Sequence, residues 1–182
     1  MQWNIPGTTL TGERENADRI DGLFQSMFLT GGLTLSQVAS VTGLESYTVQ
    51  NWVKRGFLPS PQNKRYDMEQ VCRLININIL KGTMPLEQII HLMRYLNGSL
   101  ADESDDLVDD TILFFLFVKL ASRARYIGGS KAWDDALVEI TEDYREPVPG
   151  ARDKLIKVLK IMLTVWCANM LKQQAETMIA QL

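Results

Sequence analysis

The sequence predicts a mainly α-helical protein: a winged helix-turn-helix followed by a C-terminal helical bundle. Three observations carry that expectation. Residues Ser36 to Trp52 read as a short helix, a glycine turn at Gly43 and a second helix. A proline-punctuated basic loop, Pro59 to Tyr66, leads into an apolar helix that opens on Asp67 with Gln70 three residues on, the spacing of a capping box. From Ser99 onward, apolar residues recur at helical spacing.

Taken in order, residues 1–33 form an N-terminal helical arm. Ala17, Ile20, Leu23, Phe24, Met27 and Phe28 recur at helical spacing, and Gly31-Gly32 ends the pattern. Residues 34–98 form the winged unit. Its first helix runs from Leu35 to Thr42 with Thr34 as N-cap, and its second from Ser46 to Arg55, ending at Gly56. The capped helix continues through Val71, Leu74, Ile75, Ile79 and Leu80 to Gly82, and Pro85 suits the first turn of the next one, which stops at Asn97-Gly98. Residues 99–182 form a helical dimerisation and effector domain. Ser104 is placed to cap a helix whose first turns hold Asp105, Asp106, Asp109 and Asp110, with Arg123 and Arg125 at its far end before Gly128-Gly129. Ser130 opens a helix bearing Trp133, Ala136, Leu137, Ile140 and Tyr144 on one face. After the linker Glu146 to Gly150, a last helix spans about Ala151 to Gln181.

Composition narrows the function classes. With 182 residues, 46% apolar and 23% charged, the chain has ordinary globular make-up. The start, Met1 to Pro6, lacks the basic and apolar regions of a secretory signal, and the longest apolar run, Ile112 to Val118, is too short to span a bilayer. Two cysteines, Cys72 and Cys167, sit in apolar helical patterns, so a reducing cytoplasm fits and no disulfide framework is expected. His91 is the one histidine, so no zinc spacing and no nucleophile–base pair is legible; an enzyme is not expected, and neither is a metal or cofactor. The net charge is −3, yet residues 34–100 hold seven basic against four acidic residues and the remainder carries −6.

The helix–turn–helix residues point to nucleic acid. Ala39 is the small residue where two helices cross, Gly43 the turn, and Val38, Leu44, Val49 and Trp52 the apolar anchors. The outward face of the second helix then holds Ser46, Tyr47, Thr48, Gln50, Asn51 and Lys54, with Arg55 behind. Amides suit adenine edges; Lys54 and Arg55 suit phosphate. Asn63, Lys64, Arg65 and Tyr66 in the basic loop would touch the backbone or minor groove. A helical hairpin with a merely solvated polar face fits the first of these residue sets too.

The order Thr48-Val49-Gln50-Asn51-Trp52-Val53, Gly56-Phe57-Leu58-Pro59, Arg65-Tyr66-Asp67, Arg73-Leu74 and Gly82 with Leu86-Glu87-Gln88-Ile89 resembles the MerR family. That family reads Thr-Ile-Arg-Tyr-Tyr-Glu, Gly-Leu-Leu-Pro, an Arg-x-Tyr wing, an acidic helix start with Arg-Leu, and Gly followed by Leu-x-x-Ile. The resemblance covers about a third of the chain and implies a winged DNA-binding unit. Gln50-Asn51 replaces the family's Arg-Tyr, and Glu45 replaces its capping Ser or Thr, leaving Ser46 to serve. The dimerising coiled coil does not follow directly, so only the DNA-binding unit transfers. The whole layout resembles an uncharacterised bacterial family of MerR-like proteins of unknown function.

Other groupings have plain alternatives. The acidic cluster Asp102 to Asp106 with Asp109-Asp110 could share a divalent cation, but an acidic, solvated first turn explains it. Phe114, Phe115, Phe117, Tyr126, Trp133 and Trp166 could line an effector pocket or pack a core. The expected function is a cytoplasmic, sequence-specific transcriptional regulator that binds double-stranded DNA. It would be a homodimer through the N-terminal arm or C-terminal helices, with a small-molecule effector. The alternative is a protein-interaction adaptor that kept the fold and lost DNA binding.

Overall fold

The computed structural model describes residues 2–98, 105–124 and 131–182. The protein is mainly α-helical, with eight α-helices and two two-stranded sheets among the described residues. Ser104, Arg125, Tyr126, Gly128, Gly129, Ser130, Asp102 and Glu103 lie outside them.

The N-terminus departs from a purely helical arm. Gln2–Asn4 (β1) pairs antiparallel with Thr11–Glu13 (β2), and a 3-10 helix, Arg14–Arg19, leads into Ile20–Phe28 (α1). Three-residue strands carry no readable alternation, which hid the hairpin. Its connection turns at Gly7, whose φ of +71° favours glycine. A Cβ there would also lie 2.8 Å from the Ile75 carbonyl oxygen. The connection is tied down by Thr9, whose N–H donates to Val41 O (2.8 Å) and whose Oγ1 donates to Ser40 O (2.6 Å). Asn78 Nδ2 donates to both Gly7 O (2.9 Å) and Thr42 O (2.8 Å).

Leu35–Thr42 (α2) starts as the sequence indicates, with Thr34 and Gln37 forming a capping box. Gly43, at φ +68°, ends it in the left-handed region, and Ser46–Lys54 (α3) follows. The N-cap of α3 is Glu45, not Ser46, and its side chain makes no capping bond. Leu33–Thr34 (β3) pairs antiparallel with Arg65–Tyr66 (β4). Met68–Leu80 (α4) opens on the predicted capping box: Gln70 N–H donates to Asp67 Oδ1 (2.8 Å) and Asp67 N–H to Gln70 Oε1 (3.1 Å). Leu86–Asn97 (α5) begins after Pro85, which is its N-cap rather than part of its first turn.

Asp110–Arg123 (α6) starts later than expected. Asp109 caps it, accepting from the N–H groups of Thr111 and Ile112, so Asp105, Asp106 and Asp109 precede the helix. Lys131–Ile140 (α7) and Ala151–Ile179 (α8) complete the chain. α4 is the central element: ten of its residues are buried, and it packs along α6 and against α8. Buried residues from Ile5 to Cys167 form a single hydrophobic cluster. Phe24, Phe114 and Phe117 are fully buried within it, each worth roughly 1.5–3 kcal/mol of burial.

Candidate functional site

The turn at Gly43 lets α3 press one side onto α2. Val38, Leu44, Val49 and Trp52 are buried, as the amphipathic spacing requires. The opposite side of α3 faces solvent. Tyr47 is 73% exposed, and Gln50 and Lys54 are exposed as well, while Ser46, Thr48 and Asn51 are half-buried. Among the described residues, no side-chain hydrogen bond or ion pair engages Tyr47, Gln50 or Lys54. Arg55 is otherwise occupied: its guanidinium lies 4.6 Å from the Phe57 ring centroid and 3.7 Å from Glu87 in an exposed ion pair.

The basic loop closes as a tight hairpin. Gln62 bridges Arg65, whose N–H donates to Gln62 O (2.8 Å), and Asn63 and Lys64 sit at φ +50° and +60°. Two consecutive left-handed residues make a type I′ turn, the form that matches the strand twist. Asn tolerates this backbone; for Lys64 it is strained. Asn63, Lys64 and Arg65 are exposed. Arg65 Nη1 donates to Gly32 O (2.8 Å), so its head is held toward β3. Tyr66 departs from the surface position expected of it. It is 3% exposed, burial pushes its phenol up, and its ring anchors the hairpin from inside.

The basic surplus of residues 34–100 is smaller at the surface than in the sequence. Arg73 is 3% exposed. Its Nε donates to Asp110 Oδ2 (2.6 Å), and its Nη2 lies 3.9 Å from Asp106 Oδ2. Asn76 Nδ2 also donates to Asp110, to O (3.0 Å) and Oδ1 (3.1 Å). Burial works against the Arg73 charge, but the attraction of Asp110 and Asp106 outweighs it and holds the guanidinium protonated. Burial pushes the Asp110 carboxyl up, against the pull of Arg73. Asp110 is therefore not on a solvated acidic face but part of a charged seam between α4 and α6. Nothing in the spacing of Arg73 and Asp110, 37 positions apart, signals this pair.

The remaining groups sort plainly. Burial pushes both the Cys72 and Cys167 thiols up, which keeps them protonated and unreactive. Among the described residues, no group of three or more His, Cys, Asp or Glu is placed to hold a metal. Of the aromatic set, Phe114, Phe117 and Trp133 are core residues, while Trp166 also lines an open cleft. No helix among the described residues is long and apolar enough to cross a membrane.

Comparison with known proteins corrects the MerR resemblance. Residues 29–111 match a family described as a domain of unknown function (DUF1836). The uncharacterized protein YkrK of Bacillus subtilis is 31% identical over 78 residues, which are 41% of this chain and 34% of that protein. The chain thus matches about a third of the relative's length. Neither similarity is to MerR or to a family of DNA-binding proteins, and no solved structure matches. The shared punctuation behind the resemblance, a turn glycine, a Gly-x-Leu-Pro exit and a capped helix, is what such a chain path needs locally. It does not identify descent.

Proposed function

We propose that α2, α3 and the Gln62–Arg65 hairpin beside β3 form a winged helix-turn-helix that binds duplex DNA, and that the protein is a cytoplasmic transcriptional regulator. The observation that carries this reading is the unengaged polar face of α3, with the Tyr47, Gln50 and Lys54 side chains free of partners among the described residues while Val49 and Trp52 lock the opposite side. A helix so held can enter a major groove with its amides toward base edges. Lys64, at the tip of a strained turn, suits a phosphate contact. Dimerisation fits the far end of α8. Beyond Cys167 it leaves the core, and Leu171 and Met178 are exposed along one stripe with Ala175. A second copy of the chain would bury that stripe and set two half-sites.

The test is fluorescence anisotropy with a random-sequence duplex across a salt series. DNA binding predicts affinity that falls steeply with salt, and a salt slope reduced by about one in Lys64→Ala. Absence of binding at low salt would reject the reading in favour of a protein-interaction adaptor on the same fold.

A further inference from the structure

A cleft of about 530 Å³ opens between the β1–β2 connection, the C-terminal end of α4 and α8. Its size falls within the roughly 300–1,000 Å³ typical of small-molecule sites. Its chemistry is one-sided. Of its lining residues, the charged ones are Arg14 and Lys81; no Asp or Glu takes part, in a chain whose net charge is −3. Amides from two further elements join them: Asn4 on β1, and Asn169 with Gln173 on α8; Asn78 also lines the cleft but spends both amide protons on the Gly7 and Thr42 carbonyls.

Arg14 supplies the independent observation. Its guanidinium is stacked on Trp3, 4.9 Å from the ring centroid, which fixes the head in place. Its Nε is nevertheless buried and has no hydrogen-bond partner among the described residues. Leaving such a donor unmet costs about 1–3 kcal/mol, a cost that folded proteins rarely carry without a use. Lys81 sits at the same cleft, and partial burial pushes its ammonium down, since no acid of the lining offsets its desolvation. Contacts tie the walls together. Trp3 meets Trp166 edge-on at 6.5 Å, and Asn78 clamps the Gly7 and Thr42 carbonyls.

We propose that this cleft binds a small polar organic anion, with Arg14 and Lys81 engaging its carboxylate or phosphate group and the amides holding its polar body. The walls come from segments far apart in sequence, and a bound anion would join them. Binding here is independent of whether α3 reads DNA.

The test is isothermal titration of the full chain with citrate, glucose 6-phosphate and AMP, against glucose and adenosine as uncharged partners. At least one of the anions should bind saturably with a Kd below about 1 mM, and its uncharged partner at least about tenfold more weakly. Arg14→Gln and Lys81→Gln should each weaken binding about tenfold. Lys81 is exposed, so Lys81→Gln carries the test should Arg14→Gln fail to fold. A carboxylate site and a phosphate site separate by which anion titrates. Failure of all three anions to bind, or binding unchanged in both variants, overturns the proposal.

Discussion

The outer face of α3 and the inner face of α4 lie close together in the chain and treat polar groups in opposite ways. On α3, the Tyr47, Gln50 and Lys54 side chains stand in solvent with no partner among the described residues. On α4, Arg73 and Asn76 are buried and turn their donors toward the start of α6: Arg73 to the Asp110 and Asp106 carboxylates, Asn76 to the Asp110 carboxylate and carbonyl. A solvated polar face adds little to stability and is free to meet another molecule. A buried pair is bound into the fold, and its donors are turned inward, away from an outside ligand. The same residue types therefore differ in meaning, and burial separates them.

The largest expected effect probes the seam. Asp110→Ala takes from Arg73 its nearest buried carboxylate, leaving Asp106 at 3.9 Å, and should lower unfolding stability by about 3–5 kcal/mol in urea denaturation. Replacing both partners at once, Arg73→Met with Asp110→Leu, should recover most of that loss. A small effect of Asp110→Ala alone would break the contrast, because it would mean that water reaches the pair.

The next effect probes the other side of α4. Gly7→Ala places a methyl group against Ile79 and the Ile75 carbonyl at a left-handed φ, and should cost about 1–3 kcal/mol by the same measurement. A neutral outcome would show that the β1–β2 connection is not pressed onto the helix.

The smallest effect sharpens the α3 side. Lys64→Gly relieves a left-handed lysine, and after glycine's own entropy cost it should raise stability by about 0.5–1 kcal/mol. It should weaken duplex binding in the same preparation. Gain of stability with unchanged DNA affinity would leave the turn as a structural device only.

Much of the path was readable. The N-cap at Thr34, the capping box at Asp67, the turn at Gly43 and the limits of α2 and α4 all rest on residues within four positions of one another. Misreadings came where that range was exceeded or the signal was too short. The β1–β2 hairpin has three-residue strands. Glu45 caps α3 by position alone, because the chain path at Gly43 and not the side chain sets where the helix starts. The acidic run before α6 looked like a first turn, yet the helix waits for Asp109, whose carboxylate makes the cap, and for Asp110, whose pairing with Arg73 holds it in place. Of the candidate contact residues, the polar face of α3 followed from helical period, whereas the burial of Tyr66 did not, since it depends on the hairpin folding back onto β3.

Local chemistry alone thus settles that this chain is helical, where most of its helices start and stop, and which side of α3 turns outward. Each of these is decided by steric limits and hydrogen bonds spanning a few residues. The fate of the charges was decided only on folding. Arg73 finds Asp110 and Arg14 joins Lys81 at one cleft through contacts between segments distant in sequence. Whether a guanidinium is a surface probe or a buried strut depends on the water it loses and the partner it gains, and both are set by tertiary packing.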